Sequence, residues 1–272
     1  MPTFATPEPI AVRIEAGNGS IRLVASDRAD TVVEVRPRDE SRNSDVWAAE
    51  HTRVDFRDGK LIVSGAKRGL PLFRDGAIGL EIALPSRSRL HASLASADLR
   101  AEGEFADFRV ASASGDVEVD SVTGKIKVAN ASGAFTVHAA QGSASVATAS
   151  GDATVGHLDG DLKFKAASGS LTVDRLCGYV KARTASGSVD VAAAVRGGVS
   201  AYTSSGEVAV GVAEGTAARL DIVTGSGVVS NELQPSDGPQ QGEETLVLHV
   251  RSGSGDVRIR RASAAHATVA AT

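Results

Sequence analysis

The stretch "ASGDVEVDSVTGKIKVANASGAFTV", residues 113–137, says nearly the same thing twice, and its repetition decides the fold. Ser114-Gly115 is followed by apolar residues at alternate places, Val117 and Val119, and Ser132-Gly133 is followed in the same way by Phe135 and Val137. Between them Thr123-Gly124 introduces Ile126 and Val128. Working outward, a glycine stands at every ninth position from Gly115 to Gly187 without a gap. After one inserted residue the frame resumes at Gly197, Gly206 and Gly215, and upstream Ala106 and Ala97 hold the glycine place. Apolar residues two and four places after each glycine give the period-two alternation of a strand with one buried face.

Alternate units differ, so the full period is 18 residues: Ala-Ser-Gly recurs with Gly115, Gly133, Gly151, Gly169 and Gly187, whereas the corners between them read Val122-Thr123, Ala140-Gln141, Leu158-Asp159 and Leu176-Cys177. A unit this short cannot bury its apolar face alone and is stabilised by stacking on its neighbours. The pattern predicts an all-β fold, a parallel β-solenoid of about 18 residues per coil, in which equivalent residues form columns and the five Ser-Gly glycines are structural turn positions that permit positive φ. The competing architecture is an antiparallel sandwich of hairpins, which tight glycine turns also suit.

The periodicity divides the chain into residues 1–88, degenerate β coils and a cap; 89–212, regular repeats; 213–261, a C-terminal β cap; and 262–272, a disordered tail without periodicity. Gly19-Ser20-Ile21-Arg22-Leu23 and Gly59-Lys60-Leu61-Ile62-Val63 already fit the repeat. One short helix is predicted near residues 45–51, N-capped by Asn43 or Ser44, with Trp47 helping to cover the first end. Near the other end Pro235 and Pro239 bracket a polar loop, and Leu246, Leu248 and Val250 with Val257 and Ile259 make two closing strands.

Aromatic residues are only 4% of the 272, so the core is built of Val, Ala, Leu and Ile and must be thin. The net charge of −4 and the lack of a dense Lys/Arg block argue against a nucleic-acid partner. A single cysteine, Cys177, makes no internal disulfide. The start MPTFATPEPI lacks the basic and apolar regions of a signal peptide, no apolar run is long enough for a transmembrane helix, and the expected location is cytoplasmic.

No catalytic constellation emerges. The six histidines fall at unrelated phases of the repeat; His157 lies near Asp159 and one coil from Cys177, where a solvated corner is the simpler reading. Glycine-rich nonapeptides also build calcium-binding β-rolls, but the corners here carry the neutral Ser114, Ser132, Ser150, Ser168 and Ser186 instead of aspartates. These serines are expected to satisfy backbone groups at the bends, with no calcium, other metal or cofactor bound. Outward positions segregate by sign. Asp116, Glu118, Asp152, Asp190 and Glu207 follow the Ser-Gly corners, and Lys125, Lys127, Lys163 and Lys181 lie on the opposite side. These nine residues are the candidate interaction faces.

From Ala111 to Val210 the recurrent units "ASGDVEV", "TASGDATV" and "TASGSVDV" resemble a bacterial β-strand-repeat family of unknown function labelled "putative adhesin"; "IRLVASDRADTVVEV", residues 21–35, is similar to its opening strands. The resemblance implies a β-solenoid and transfers no catalytic residue. The reading is a non-enzymatic structural or protein-interaction scaffold that binds a protein partner or itself through charged faces or ends. The alternatives are a polymer-forming element similar to bactofilins and a surface adhesin or glycan-binding solenoid.

Overall fold

The computed structural model describes residues 1–65, 76–235, 238 and 242–263. Pro239 and residues 264–272 of the expected tail lie outside the described residues. The chain divides into two compact units, Met1–Thr136 and Val137–Thr272. It is a β-solenoid: within each unit the strands stack mostly in parallel, in register with their counterparts one coil away. Among the described residues no helix is long and apolar enough to cross a membrane.

The first unit contains β1 (Thr3–Ala5), β2 (Ala11–Ser26), β3 (Asp30–Pro37), α1 (Asn43–Glu50), β4 (Arg53–Arg57), β5 (Lys60–Ser64), β6 (Ala77–Pro85), β7 (Ser88–Ser114), β8 (Val117–Val122) and β9 (Lys125–Asn130). Strand β2 is one coil deep. On one edge it pairs in parallel with β7, Val12 beside Leu90 and Ile21 beside Leu99; on the other it pairs with β5 and β6, Val12 beside Leu61 and Ile21 beside Leu80. β2, β5 and β6 thus stack as the expected coils. β3 and β4 do not. They run antiparallel on β6 and β5, and β1 runs antiparallel on β3. Alternation is the same for either strand direction, which is why the sequence pattern did not separate these return strands from coils.

The helix begins two residues before the predicted start. Arg42 occupies the N-cap and makes no side-chain cap hydrogen bond, so neither Asn43 nor Ser44 fills that role. Asp45 instead turns inward, where its Oδ1 accepts the Ala77 N–H at 3.0 Å and ties α1 to β6. Trp47 stacks on His51 with ring centroids 4.2 Å apart.

The second unit contains β10 (Phe135–Thr148) except its first two residues, β11 (Ala153–Ala166), β12 (Leu171–Thr184), β13 (Val189–Thr203), β14 (Val208–Val212), β15 (Thr216–Thr224), β16 (Val229–Asn231), β17 (Glu244–Ser252) and β18 (Val257–Arg261). Val155, Val173 and Val191 form one column and Leu162, Val180 and Val199 another, all buried. The inserted residue read from the glycine spacing appears as a slip after Leu176, which puts Cys177 beside Arg196.

The coils then leave sequence order. β13 and β14 pair with β17 and β18, and only beyond these lie β15 and β16. The two strands expected to close the fold are therefore interior, and residues 216–231 form the outermost coil among the described residues. The physical reason is apolar content. Leu248, Val250, Val257 and Ile259 continue the core columns and are fully buried, whereas the outer coil brings Asn231 to the column of Ile259.

The turn glycines serve two needs. Gly115 and Gly133 have positive φ, at 111° and 107°, as the bend was expected to require. Gly151, Gly169 and Gly187 are outside that region, and at the last two what excludes a side chain is the neighbouring coil: a Cβ on Gly169 would lie 2.0 Å from the Gly151 carbonyl oxygen and one on Gly187 1.9 Å from that of Gly169. The turn N–H groups are satisfied not by the serine beside the glycine but by the residue two places earlier. The hydroxyls of Thr148, Thr184, Thr203, Thr224 and Ser252 accept the N–H of the glycine three residues on, at 2.8 to 3.1 Å.

Candidate interaction faces

Outward residues on a parallel solenoid line up across coils, so charge at one repeat position becomes a stripe on a sheet. The two sets of candidate residues differ in how much of that charge is already used within the fold.

The acidic set is largely engaged. Asp116 accepts the Ala134 N–H through Oδ1 at 2.8 Å, its own N–H donates to Asp98 at 3.0 Å, and Asp152 accepts the Ser170 N–H at 2.8 Å. A carboxylate just after the Ser-Gly corner is thus a backbone acceptor for the next coil. Glu118 lies 3.8 Å from Arg100, and Glu207 pairs with Arg258 at 3.1 Å. Asp190 sits half-buried beside Thr172. In the first unit the neighbouring Arg22 holds Glu102 in two hydrogen bonds, and this contact keeps the Glu102 carboxyl below its ordinary range. The acidic side is therefore laced with arginines that the repeat positions alone did not reveal.

The basic set is exposed. Lys125 and Lys127 stand on β9 in the first unit, Lys127 beside Arg109. In the second unit Lys163 and Lys181 are neighbours across β11 and β12, with Lys165 beside Arg183 in the same rows. The rows continue through Ser200 and Tyr202 on β13 to His249 and Arg251 on β17. The result is one flat sheet surface carrying lysines and arginines around two exposed rings. Tyr179 is 63% exposed and lies over Gly198, where any side chain would meet its ring; Arg183 stands 5.2 Å from the centre of the Tyr202 ring. Two shallow hollows flank the rings, one bordered by Lys163, Lys181 and His249, the other by Lys165, Val223 and Arg251. Asp161 and Asp221 are the acids on this surface, and Asp221 is held below the usual carboxylate range by hydrogen bonds from His249 and Arg251.

Sequence reading found Lys163 and Lys181 and missed Lys165, Arg183, His249 and Arg251. The signal was present for the first two, since they occupy the outward position two places after each named lysine. His249 and Arg251 join the surface only because β17 stacks on β13, and no regular spacing announces that pairing.

The face offers multivalent attraction for an anionic surface and aromatic contact area. Among the described residues no three His, Cys, Asp or Glu side chains converge to hold a metal ion. His157 lies beside Arg175, and Asp159, beside Cys177, pairs with Arg196 at 3.5 Å, so these residues belong to separate contacts.

The model of the family described as Toastrack DUF4097 matches residues 10–175. No curated protein matches the chain. Among solved structures, similarity extends to a "putative adhesin" from Bacteroides fragilis NCTC 9343, at 13% identity over 95% of both chains with a TM-score of 0.45. A "putative lipid binding protein" from Parabacteroides distasonis ATCC 8503 matches at 12% identity over 96% of both chains with a TM-score of 0.42. A "putative cell adhesion protein" from Clostridium sporogenes ATCC 15579 matches at 9% identity over 96% of this chain and 98% of its own, with a TM-score of 0.21. At these identities and scores none of the three carries a functional argument.

Proposed function

The chain belongs to the Toastrack DUF4097 family, and on that premise we propose that it is a non-catalytic β-solenoid scaffold that docks protein through its charged surfaces or ends, with the basic face of the second unit as the principal lateral site. The observation that carries this reading is the unequal use of charge. Carboxylates on the acidic side hold backbone N–H groups or pair with arginines, whereas Lys163 and Lys181 stand exposed on a flat, tyrosine-bearing sheet. Cations left to solvent around aromatic rings suit an acidic protein surface, which they attract by long-range field and hold by desolvated contact.

The test is retention of acidic proteins on the immobilised chain as salt is raised, comparing wild type with Lys163→Glu/Lys181→Glu. Proteins held by wild type should be released by a few hundred millimolar salt, because exposed charges are screened beyond about 10 Å at 0.1 M. The variant should retain them several-fold less. Equal retention by both, or retention indifferent to salt, ends the reading.

A second reading, glycan binding on the Tyr179 and Tyr202 platform, is favoured by the exposure of both rings. Binding on a glycan array that Tyr179→Ala abolishes would put it first.

A further inference from the structure

The outer coil of the second unit is unfinished. β15 pairs with β17 on one edge and with no described strand on the other, and β16 stands in the same relation to β18. The inward position of β16 is correspondingly uncovered: Val229, in the column of Val257, is 45% exposed, while Val257 one coil inward is fully buried. Leu220 and Ile222, in the columns of Leu248 and Val250, are only half-buried. Backbone direction completes the picture. Gly215 accepts the N–H of Glu244 and Gly225 donates to Ser252, so the odd-numbered residues of β15 face β17, and Ala218, Leu220 and Ile222 aim their N–H and C=O groups outward.

We propose that a second copy of this chain covers this end, β15 of one copy pairing antiparallel with β15 of the other about a two-fold axis at Leu220. This rests on the scaffold reading and names one partner and one surface for it. The choice of occupant and register comes from charge. Around Leu220 the strand reads Arg219-Leu220-Asp221, and only a two-fold at Leu220 puts each Arg219 opposite the other copy's Asp221. Arg219 is exposed and has no ion-pair partner among the described residues. Asp221 uses Oδ2 for both His249 and Arg251, which leaves Oδ1 facing the same side of the sheet. The register also pairs Ala218 with Ile222, even residues on both strands, so the outward backbone groups meet in a ladder. An edge guarded against pairing sets like charges face to face; this one sets opposite charges. The outer coil of the first unit is covered by strands of its own, so among the described residues the second unit's outer coil is the open one, and the contact closes as a dimer instead of growing into a filament.

Sedimentation equilibrium of the full chain from about 1 to 100 µM tests this, since a contact between single coil ends is small and its dissociation constant is expected in the micromolar range. Two-chain mass should appear as concentration rises. Arg219→Asp, which breaks no ion pair among the described residues, should raise the dissociation constant at least about tenfold. Asp221→Arg should do the same, and R219D/D221R should return it to within about threefold of wild type. Circular dichroism melts verify that each variant folds. Lys163→Glu/Lys181→Glu should leave the dimer intact, and a dimer lost there but not in Arg219→Asp overturns end pairing while leaving lateral docking in place. The proposal is also overturned by single-chain mass at every concentration, by open-ended polymers, or by an Arg219→Asp variant that dimerises like wild type. A dimer seen only after deletion of residues 264–272 overturns it as well and identifies the chain's own tail as the cover.

Discussion

The outermost coil of the first unit, β5 with β6, and that of the second, β15 with β16, show the same alternation of apolar residues but end in different states. Leu61, Val63, Leu80 and Ile82 are at most 1% exposed, although their coil is the last in its stack. Leu220 and Ile222 hold the equivalent inward positions of the second unit and are only half-buried. The difference lies in the cover each coil receives. In the first unit the chain returns along the open edges as β3 and β4, antiparallel, and α1 packs against β3 and β6 with Asp45 on the Ala77 N–H. β4 itself presents a short outer edge of Arg53, Asp55 and Arg57, and Phe4 of β1 stacks near Phe56 at 5.1 Å. Short, charged, partly covered edges resist further pairing. The second unit has no described counterpart to these strands. Burial at a solenoid end is set by return strands rather than by the hydrophobicity of the last coil.

Substitutions can break this contrast, and the largest effect belongs to the sealed core. Val250→Asp places an unpaired charge in a fully buried column and should destabilise the second unit by about 4 kcal/mol or more, enough to abolish its cooperative melt. Ile222→Asp, in the same column one coil out, should cost about 1–2 kcal/mol, since its side chain reaches solvent. Equal losses in the two chemical denaturation curves would erase the distinction between interior and outer coil.

At the covered end, Gly76→Val tests the fit of the helix. Its Cβ would meet the Ser44 carbonyl oxygen at 2.3 Å and the Ala48 Cβ at 2.7 Å, so α1 should lift off β6 at a cost of about 2–3 kcal/mol. Hydrogen exchange should rise in residues 43–50 and remain slow in β2. A smaller loss, about 1 kcal/mol in denaturation midpoint analysis, is expected for Thr184→Val, which removes the acceptor of the Gly187 N–H.

The smallest effect is electrostatic. Because Arg22 depresses the folded-state pKa of Glu102, the pair contributes stability above the ordinary glutamate range and loses it as pH falls through the depressed value. The melting temperature of Glu102→Gln should trail wild type by about a degree near neutrality and coincide with it in strong acid, as suits an exposed pair. A gap that widens on acidification would reverse the sign of this linkage.

Most of the regular fold was legible because a nine-residue glycine spacing states both the strand period and the coil length. Even the inserted residue could be read, as a slip between Leu176 and Arg196. Strand direction at the first end was not legible, since Thr31 to Val35 alternates identically whether it runs with or against its neighbour. Coil order at the second end depends on competition between two segments for one place. Leu246, Leu248 and Val250 fill it better than Ala218, Leu220 and Ile222, and Asn231 at an inward position was the available sign. The candidate charges were legible as positions but not as roles. That Asp116 and Asp152 serve as backbone acceptors depends on where the next coil's N–H falls, a relation between coils that no single repeat contains.

The interleaved coil order also bears on how the chain is made. Residues 216–231 leave the ribosome before residues 244–261, but their strands pair with β17 and β18, and the Thr216 hydroxyl on the Val195 carbonyl at 2.7 Å ties just the start of the segment to the earlier β13. Until about 30 further residues have been synthesised and have cleared the exit tunnel, at roughly 5–20 residues per second, β15 and β16 lack the strands they pair with. For those seconds the nascent chain exposes a completed β13 edge that the incoming β17 must reach ahead of any competitor, so synthesis rate through this stretch becomes a determinant of correct assembly.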